Sequence, residues 1–247
     1  MSSRWSPAQI LLGIFSACLV LATILGLALG FDLLVTPPDI GDTIDFPSRL
    51  IALQPFRVAQ WPFDALATLL FVFGFGALAL AAGSIASLAA RDRRADILRS
   101  SILLSGFLGV AAGLLYLGGT QVTIALQYCD CGFKAEETIS QFWALSILQG
   151  ATDWLTYGAV TFGAIGVALA AIVLGKRGPS PLWSWISWGS AALLLLSIAL
   201  HEFSDTPAGD IVLAVASGVL LPAWALILAA RLGEADSPQS AADQPPV

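Results

Sequence analysis

Residues 63–90 read FDALATLLFVFGFGALALAAGSIASLAA. After Asp64 no ionisable side chain occurs until Arg91. An α-helix rises 1.5 Å per residue, so about 20 residues cross a ~30 Å hydrocarbon core. The run exceeds that length. It has no period-two alternation and is far longer than the roughly ten residues of a barrel strand. It therefore reads as a membrane-spanning helix.

Five more runs share this character, at 9–31, 102–127, 154–175, 183–200 and 209–230. None of the six carries an ionisable residue near its middle. The chain is 57% apolar and only 11% charged, with a mean hydropathy of +0.83. A soluble domain carries about a quarter charged residues, so this chain could not cover a water-facing surface. The first run spans about 23 residues, too long for the apolar core of a cleaved leader, roughly 7–15, and is expected to be retained. The expected fold is all-α, a polytopic bundle of six transmembrane helices arranged as three hairpins. It forms one domain over 1–232, followed by a disordered tail, GEADSPQSAADQPPV, at 233–247.

Basic residues orient the bundle. Arg4, Arg91, Arg93, Arg94, Arg99, Lys176, Arg177 and Arg231 fall at one set of ends, and only Arg49, Arg57 and Lys134 at the other. The positive-inside rule places both termini on the cytoplasmic side. The outer side then holds twelve acids against three basic residues, and the inner side five against eight. An acidic outer face argues against nucleic acid as a partner. The expected partners are the lipid bilayer and a membrane or periplasmic protein. No cofactor and no catalytic set are expected.

Two outer loops are long. In 32–62 the prolines are expected to break the chain into short pieces, with Phe46, Leu50, Ile51 and Leu53 on one apolar face. In 128–153, Ile139, Phe142, Trp143 and Ile147 recur at helical spacing. Both read as short interfacial helices. Trp61, Trp143 and Trp154 at the outer boundary, and Trp5, Trp183, Trp185 and Trp188 at the inner one, match aromatic belts. Shifting 62–82 by 89 positions lays PFDALATLLFVFGFGALALAA on ATDWLTYGAVTFGAIGVALAA, with eight of 21 positions identical, Asp64/Asp153 and Gly74/Gly163 among them. The third hairpin keeps an aspartate, Asp210, and a second LAAR at 228–231.

Asp64, Asp153 and Asp210 each stand where an apolar run begins at the outer surface. An acidic ring at a mouth suits a cation pathway. N-caps at the positive ends of three helices account for the same spacing, and that is the expectation here. His201 and Glu202, near Asp205 and Asp210, are the metal candidates, set against an ordinary solvated loop histidine. Cys129 and Cys131, in QYCDCGF (127–133), are the redox candidates: a local disulfide first, a free thiol pair second, a metal site third. Cys18 lies within helix one, out of their reach. The GxxxG pairs Gly26/Gly30 and Gly109/Gly113 fit close helix packing, and a kink is expected at Pro222.

The layout resembles a family of bacterial six-helix integral membrane proteins of unknown function. The resemblance covers residues 8–232. It rests on the short N-terminus, the outer-loop arginine (Arg49 or Arg57), the turn KRGPSPLWSW (176–185) and the final apolar hairpin. It implies the six-helix fold and no activity. The function expected from the residues is non-enzymatic partner or lipid binding, or envelope sensing. The alternatives are a small transporter or lipid-handling protein, and an outer-facing metal- or redox-dependent protein.

Overall fold

The structure is a computed structural model, and it describes residues 5–38, 46–89, 92–128, 135–174, 181–203 and 207–235. Its helices are α1 (Pro7–Gly30), α2 (Phe46–Ser87), α3 (Ala95–Tyr128), α4 (Ala135–Leu174), α5 (Pro181–Phe203), α6 (Ala208–Val215) and α7 (Leu221–Ala235). A five-residue π turn, Ala216–Leu220, joins the last two into one rod. Six rods are long and apolar enough to cross a membrane, and no strand occurs among the described residues. The chain is a multi-pass membrane protein with an all-α bundle fold.

Local chemistry sets the helix ends. At the start of α1 the Ser6 hydroxyl accepts from the Gln9 N–H, and the Gln9 side chain accepts from the Ser6 N–H at 2.8 Å. This capping box satisfies two donors that have no partner within the helix, and Pro7 at the first position gives up no bond. At the other end, Leu33 N–H donates to Ala28 and Asp32 N–H to Leu29, with Asp32 at φ 54°. That is a Schellman stop, with Asp in the left-handed position usually held by glycine.

Two sequence expectations change here. The outer segments before Asp64 and Asp153 are helical, but they are not separate interfacial pieces. They run unbroken into the spans, giving α2 42 residues and α4 40. At 1.5 Å per residue each is ~60 Å long, well beyond a bilayer with headgroups at ~45 Å. Pro55 and Pro62 sit inside α2. They are seven residues apart, hence on one helix face, and both are exposed. Hydropathy detects only the lipid-immersed part of such a rod, so its polar extension looks like a separate interfacial piece.

The rods form a closed ring. Each packs on its neighbours in chain order, and the last, through α7 and the π turn, packs back onto α1. Large apolar side chains such as Phe73, Leu80, Phe107 and Val219 are exposed on its outside, as a lipid-facing belt requires. Small residues set the closest approaches. A Cβ on Gly106 would lie 2.5 Å from Ala79 Cβ and 2.8 Å from the Phe75 carbonyl oxygen. Gly109 and Gly113 fit Phe75 and Val72 in the same seam between α2 and α3. Gly26 and Gly30 meet nothing within 4 Å, so that GxxxG pair faces outward and packs no helix.

The repeat has a structural counterpart. Gly74 of α2 rests on Phe15, Cys18 and Leu19 of α1, and Gly163 of α4 rests on Ser105 of α3. In each hairpin the second helix uses the matched glycine against the first.

The closely packed core lies at the end of the ring where α1 begins. Leu12, Ile85, Leu98, Trp183 and Leu228 are fully buried there. Trp183 is thus a core residue and not part of an aromatic belt; it stacks on Trp224 at 6.5 Å and 19°. Trp185 and Trp188, two and five residues on, are exposed as a belt requires. This is the closed end of the ring, and the opposite one is its open end.

Candidate functional site: a closed-ended cavity

The ring encloses a cavity of about 390 Å³. All six rods contribute to its wall. Such a volume falls within the 300–1,000 Å³ range typical of small-molecule sites.

The wall changes character with depth. Near the open end it carries Asp64 and Thr68 from α2, Tyr116 from α3, and Gln149, Thr152 and Asp153 from α4. Gln149 is exposed, so the cavity reaches the surface at this level. Deeper, the wall is mostly apolar, with Phe15, Phe75, Leu78, Ile102, Val167 and Leu194 around one hydroxyl, Ser105. Trp224 also borders it there, only 1% exposed. Phe15 and Phe75 meet edge to face at 6.3 Å, and Ser16 Oγ lies 3.3 Å from the Pro222 carbonyl oxygen, which fixes α1, α2 and α7 at one level. Asp64 is eleven residues from Phe75 on α2, so the polar mouth stands ~16 Å above that level.

The aspartates do not behave alike. Asp64 and Asp153 are not caps. Each is the nineteenth residue of its helix, where the neighbouring N–H groups already have intrahelical partners. Each also lies inside a rod segment apolar enough to span, Pro55–Ser87 and Ser146–Leu174 respectively. Asp64 is half-buried and accepts a 2.5 Å hydrogen bond from Tyr116 Oη, joining α2 to α3. Its backbone carbonyl accepts from Thr68 Oγ1 at 2.8 Å. Asp153 accepts from Gln149 Nε2 at 2.9 Å, one turn earlier on the same helix and at the surface.

Asp210 lies elsewhere. It sits in the first turn of α6, where a carboxylate favours the positive helix end, but the cap position is Pro207 and no side-chain cap bond forms. Its Oδ1 is 3.6 Å from His201 Nδ1. The His201 ring meets Tyr157 at 5.9 Å, and Glu202 hydrogen-bonds Tyr157. Gly209 permits this tight return, because a Cβ there would stand 2.8 Å from the His201 nitrogen. Among the described residues, no three His, Cys, Asp or Glu side chains converge as a metal site would need. Cys129 and Cys131 lie outside the described residues. Cys18 is a free thiol, half-buried against Gly74.

Sequence reasoning missed Tyr116, Gln149 and Trp224. A signal existed for the first. A tyrosine inside an apolar run has a hydroxyl that needs a partner, and GLLYLGG offers none nearby. Trp224 gives no such signal. Among the described residues, its Nε1 is the only buried side-chain nitrogen or oxygen without a hydrogen-bond partner. Leaving a buried donor unpaired costs about 1–3 kcal/mol.

The sixth rod is widened beside this wall. Pro222 has no N–H for the Gly218 carbonyl, and the Leu221 N–H reaches back five residues to Ala216 instead of four. The π turn presses Gly218 onto Thr23 of α1, where a Cβ would be 2.7 Å from the Thr23 methyl. The expected disturbance at Pro222 is therefore this widening of the helix.

No protein-family model, no curated protein and no solved structure matches the chain.

Proposed function

We propose that this protein binds an amphiphile, a lipid-like molecule, inside the ring of helices. The single observation that carries this reading is the cavity's gradient: a polar, exposed mouth and an apolar, closed depth. A solvated ion finds only the Ser105 hydroxyl, already bonded to the Ala159 carbonyl, beside Ile102 in the lower wall. A hydrocarbon chain gains dispersion contacts there, while its head can exchange hydrogen bonds at the Asp64–Tyr116 and Gln149–Asp153 pairs. The positive-inside count puts the mouth on the outer side of a bacterial inner membrane, facing the acidic outer surface. The closed end, packed around Trp183 and Leu228, supports holding a guest over passing it through the bilayer.

The test is native mass spectrometry, with lipid extraction, of the detergent-purified full chain and of Ala67→Phe. Ala67 lines the cavity one turn below Asp64. We expect a defined bound amphiphile on the wild type and its loss from the variant, with both proteins folded. An identical lipid complement on the two proteins would overturn the reading.

A further inference from the structure

We infer that the cavity holds one hydrocarbon chain and no more, so that the guest is a single-chain amphiphile and not a two-chain membrane lipid. This deepens the amphiphile reading and rests on it. The shape of the cavity carries the inference. Its wall runs from Asp64 to Leu78 on α2 and from Tyr116 to Ile102 on α3. At 1.5 Å per residue both walls are ~21 Å deep. A cavity of about 390 Å³ over that depth has a mean cross-section of ~19 Å². An extended chain advances ~1.2 Å per bond, and a methylene group is close to a water molecule in size, ~30 Å³. One chain therefore occupies about 25 Å² in section, and two occupy about 50 Å². The cavity matches one and falls far short of two. Its depth admits about 17 carbons and its volume about 13, so a tetradecanoyl to hexadecanoyl chain fills it.

Fixed contacts oppose any widening. At mid-depth the Ser105 hydroxyl donates to the Ala159 carbonyl across α3 and α4 at 2.8 Å. In the same seam a Cβ on Gly166 would lie 2.9 Å from the Ile102 side chain. Phe15 meets Phe75 edge to face across α1 and α2. A second chain inside the ring would have to part these seams. A second chain left outside would lie at the polar mouth, because each rod packs on its neighbours and the ring is closed. Its apolar surface would then stay against water.

The probes are the glycerol monoester and diester of tetradecanoic acid, which share a head and differ in chain number. The glycerol hydroxyls can donate to Asp64 and Asp153 and accept from Gln149 at the mouth. The full-length protein is purified in a steroid-based detergent, which brings no alkyl chain to compete. Bound ester is counted by native mass spectrometry from an equimolar mixture. We expect one monoester per protein chain, favoured about tenfold over the diester, the effect of modest overpacking. A docosanoyl monoester, longer than the depth allows, should be retained less than the tetradecanoyl one. Val160 lines the cavity on α4, seven residues inward from Asp153 and so ~10 Å deep. Val160→Phe should shorten the accepted chain to about 8 carbons, keeping the octanoyl monoester and losing the tetradecanoyl one. Equal retention of diester and monoester by the wild type, or a length limit that Val160→Phe leaves unchanged, overturns the inference while leaving the amphiphile reading standing. Failure of the wild type to bind any of these esters overturns both. Should Val160→Phe not fold, the wild type's preference for the monoester and its rejection of the docosanoyl chain decide the matter by themselves.

Discussion

The two ends of the ring are built from the same helices and similar residues, yet one is packed solid and the other is hollow. At the closed end, Leu12, Ile85, Leu98 and Leu228 are fully buried around the Trp183–Trp224 stack. At the open end, the same rods part around Asp64, Tyr116 and Asp153. Association of helices in lipid has no hydrophobic driving force, so it depends on how closely backbones approach. Glycines at Gly106, Gly109 and Gly166 allow that approach in the lower and middle seams, against Ala79, Phe75 and Ile102. Gly118, higher on α3, meets nothing within 4 Å. The difference shows that small residues tighten a membrane bundle only where a neighbour stands opposite them. A cavity is what remains where the opposing residues are larger or polar.

The sharpest way to break this contrast is to overfill the seam. Gly106→Val would push a side chain into the Phe75 carbonyl and Ala79. We expect a loss of about 3 kcal/mol or more, beyond ordinary overpacking because backbone atoms oppose it. Unfolding by denaturing detergent would show it as a collapse of the midpoint. A near-normal midpoint would mean that α2 and α3 are not in this register.

The next effect is at the mouth. Tyr116→Phe removes the donor to the half-buried Asp64. A loss of about 1–3 kcal/mol is expected, because the carboxylate keeps its burial and loses its partner. Gln149→Ala, which frees Asp153 at the surface, should cost under about 0.5 kcal/mol. Comparable costs for the two would contradict the different burial of the two aspartates.

Ser105→Ala tests the middle of the ring. Its hydroxyl donates to the Ala159 carbonyl across α3 and α4 at 2.8 Å. Interhelical bonds of this kind average ~0.6 kcal/mol and reach ~1.7 at most. A value within that range, with the helix content unchanged, is expected from the same unfolding assay.

The smallest effect belongs to Gly118→Val, the counterpart of Gly106→Val on the same helix. With open space beside it, a change within about 0.5 kcal/mol is expected. A large loss here would show an opposing surface at the open end, and the hollow half would have to be redrawn.

Much of this architecture was legible without coordinates. The six spans follow from run length against bilayer thickness, and their observed bounds differ mainly by polar extensions that lie outside any apolar window. The alignment of 62–82 with 151–171 already implies that Asp64 and Asp153 occupy matching places, although the same pattern suggests helix caps at both. That error has a clear source. Hydropathy marks where lipid begins, and a cap requires that the helix begin there too. Both helices in fact start 18 residues earlier, at Phe46 and Ala135. Gly26/Gly30 and Gly109/Gly113 share one motif, and only the second pair has a helix opposite.

The sequence by itself determined the class, the number of spans and the charge asymmetry of the two faces. Each of these is a sum over local residues measured against a fixed solvent, the bilayer. Only the tertiary structure decided that the rods close into a ring and that the ring is solid at one end and hollow at the other. It also brought Asp64 to Tyr116, 52 residues away, and left the Trp224 donor with no acceptor among the described residues. Those outcomes depend on which residue stands opposite which across the helix seams, and opposition between distant segments cannot be read along a single chain.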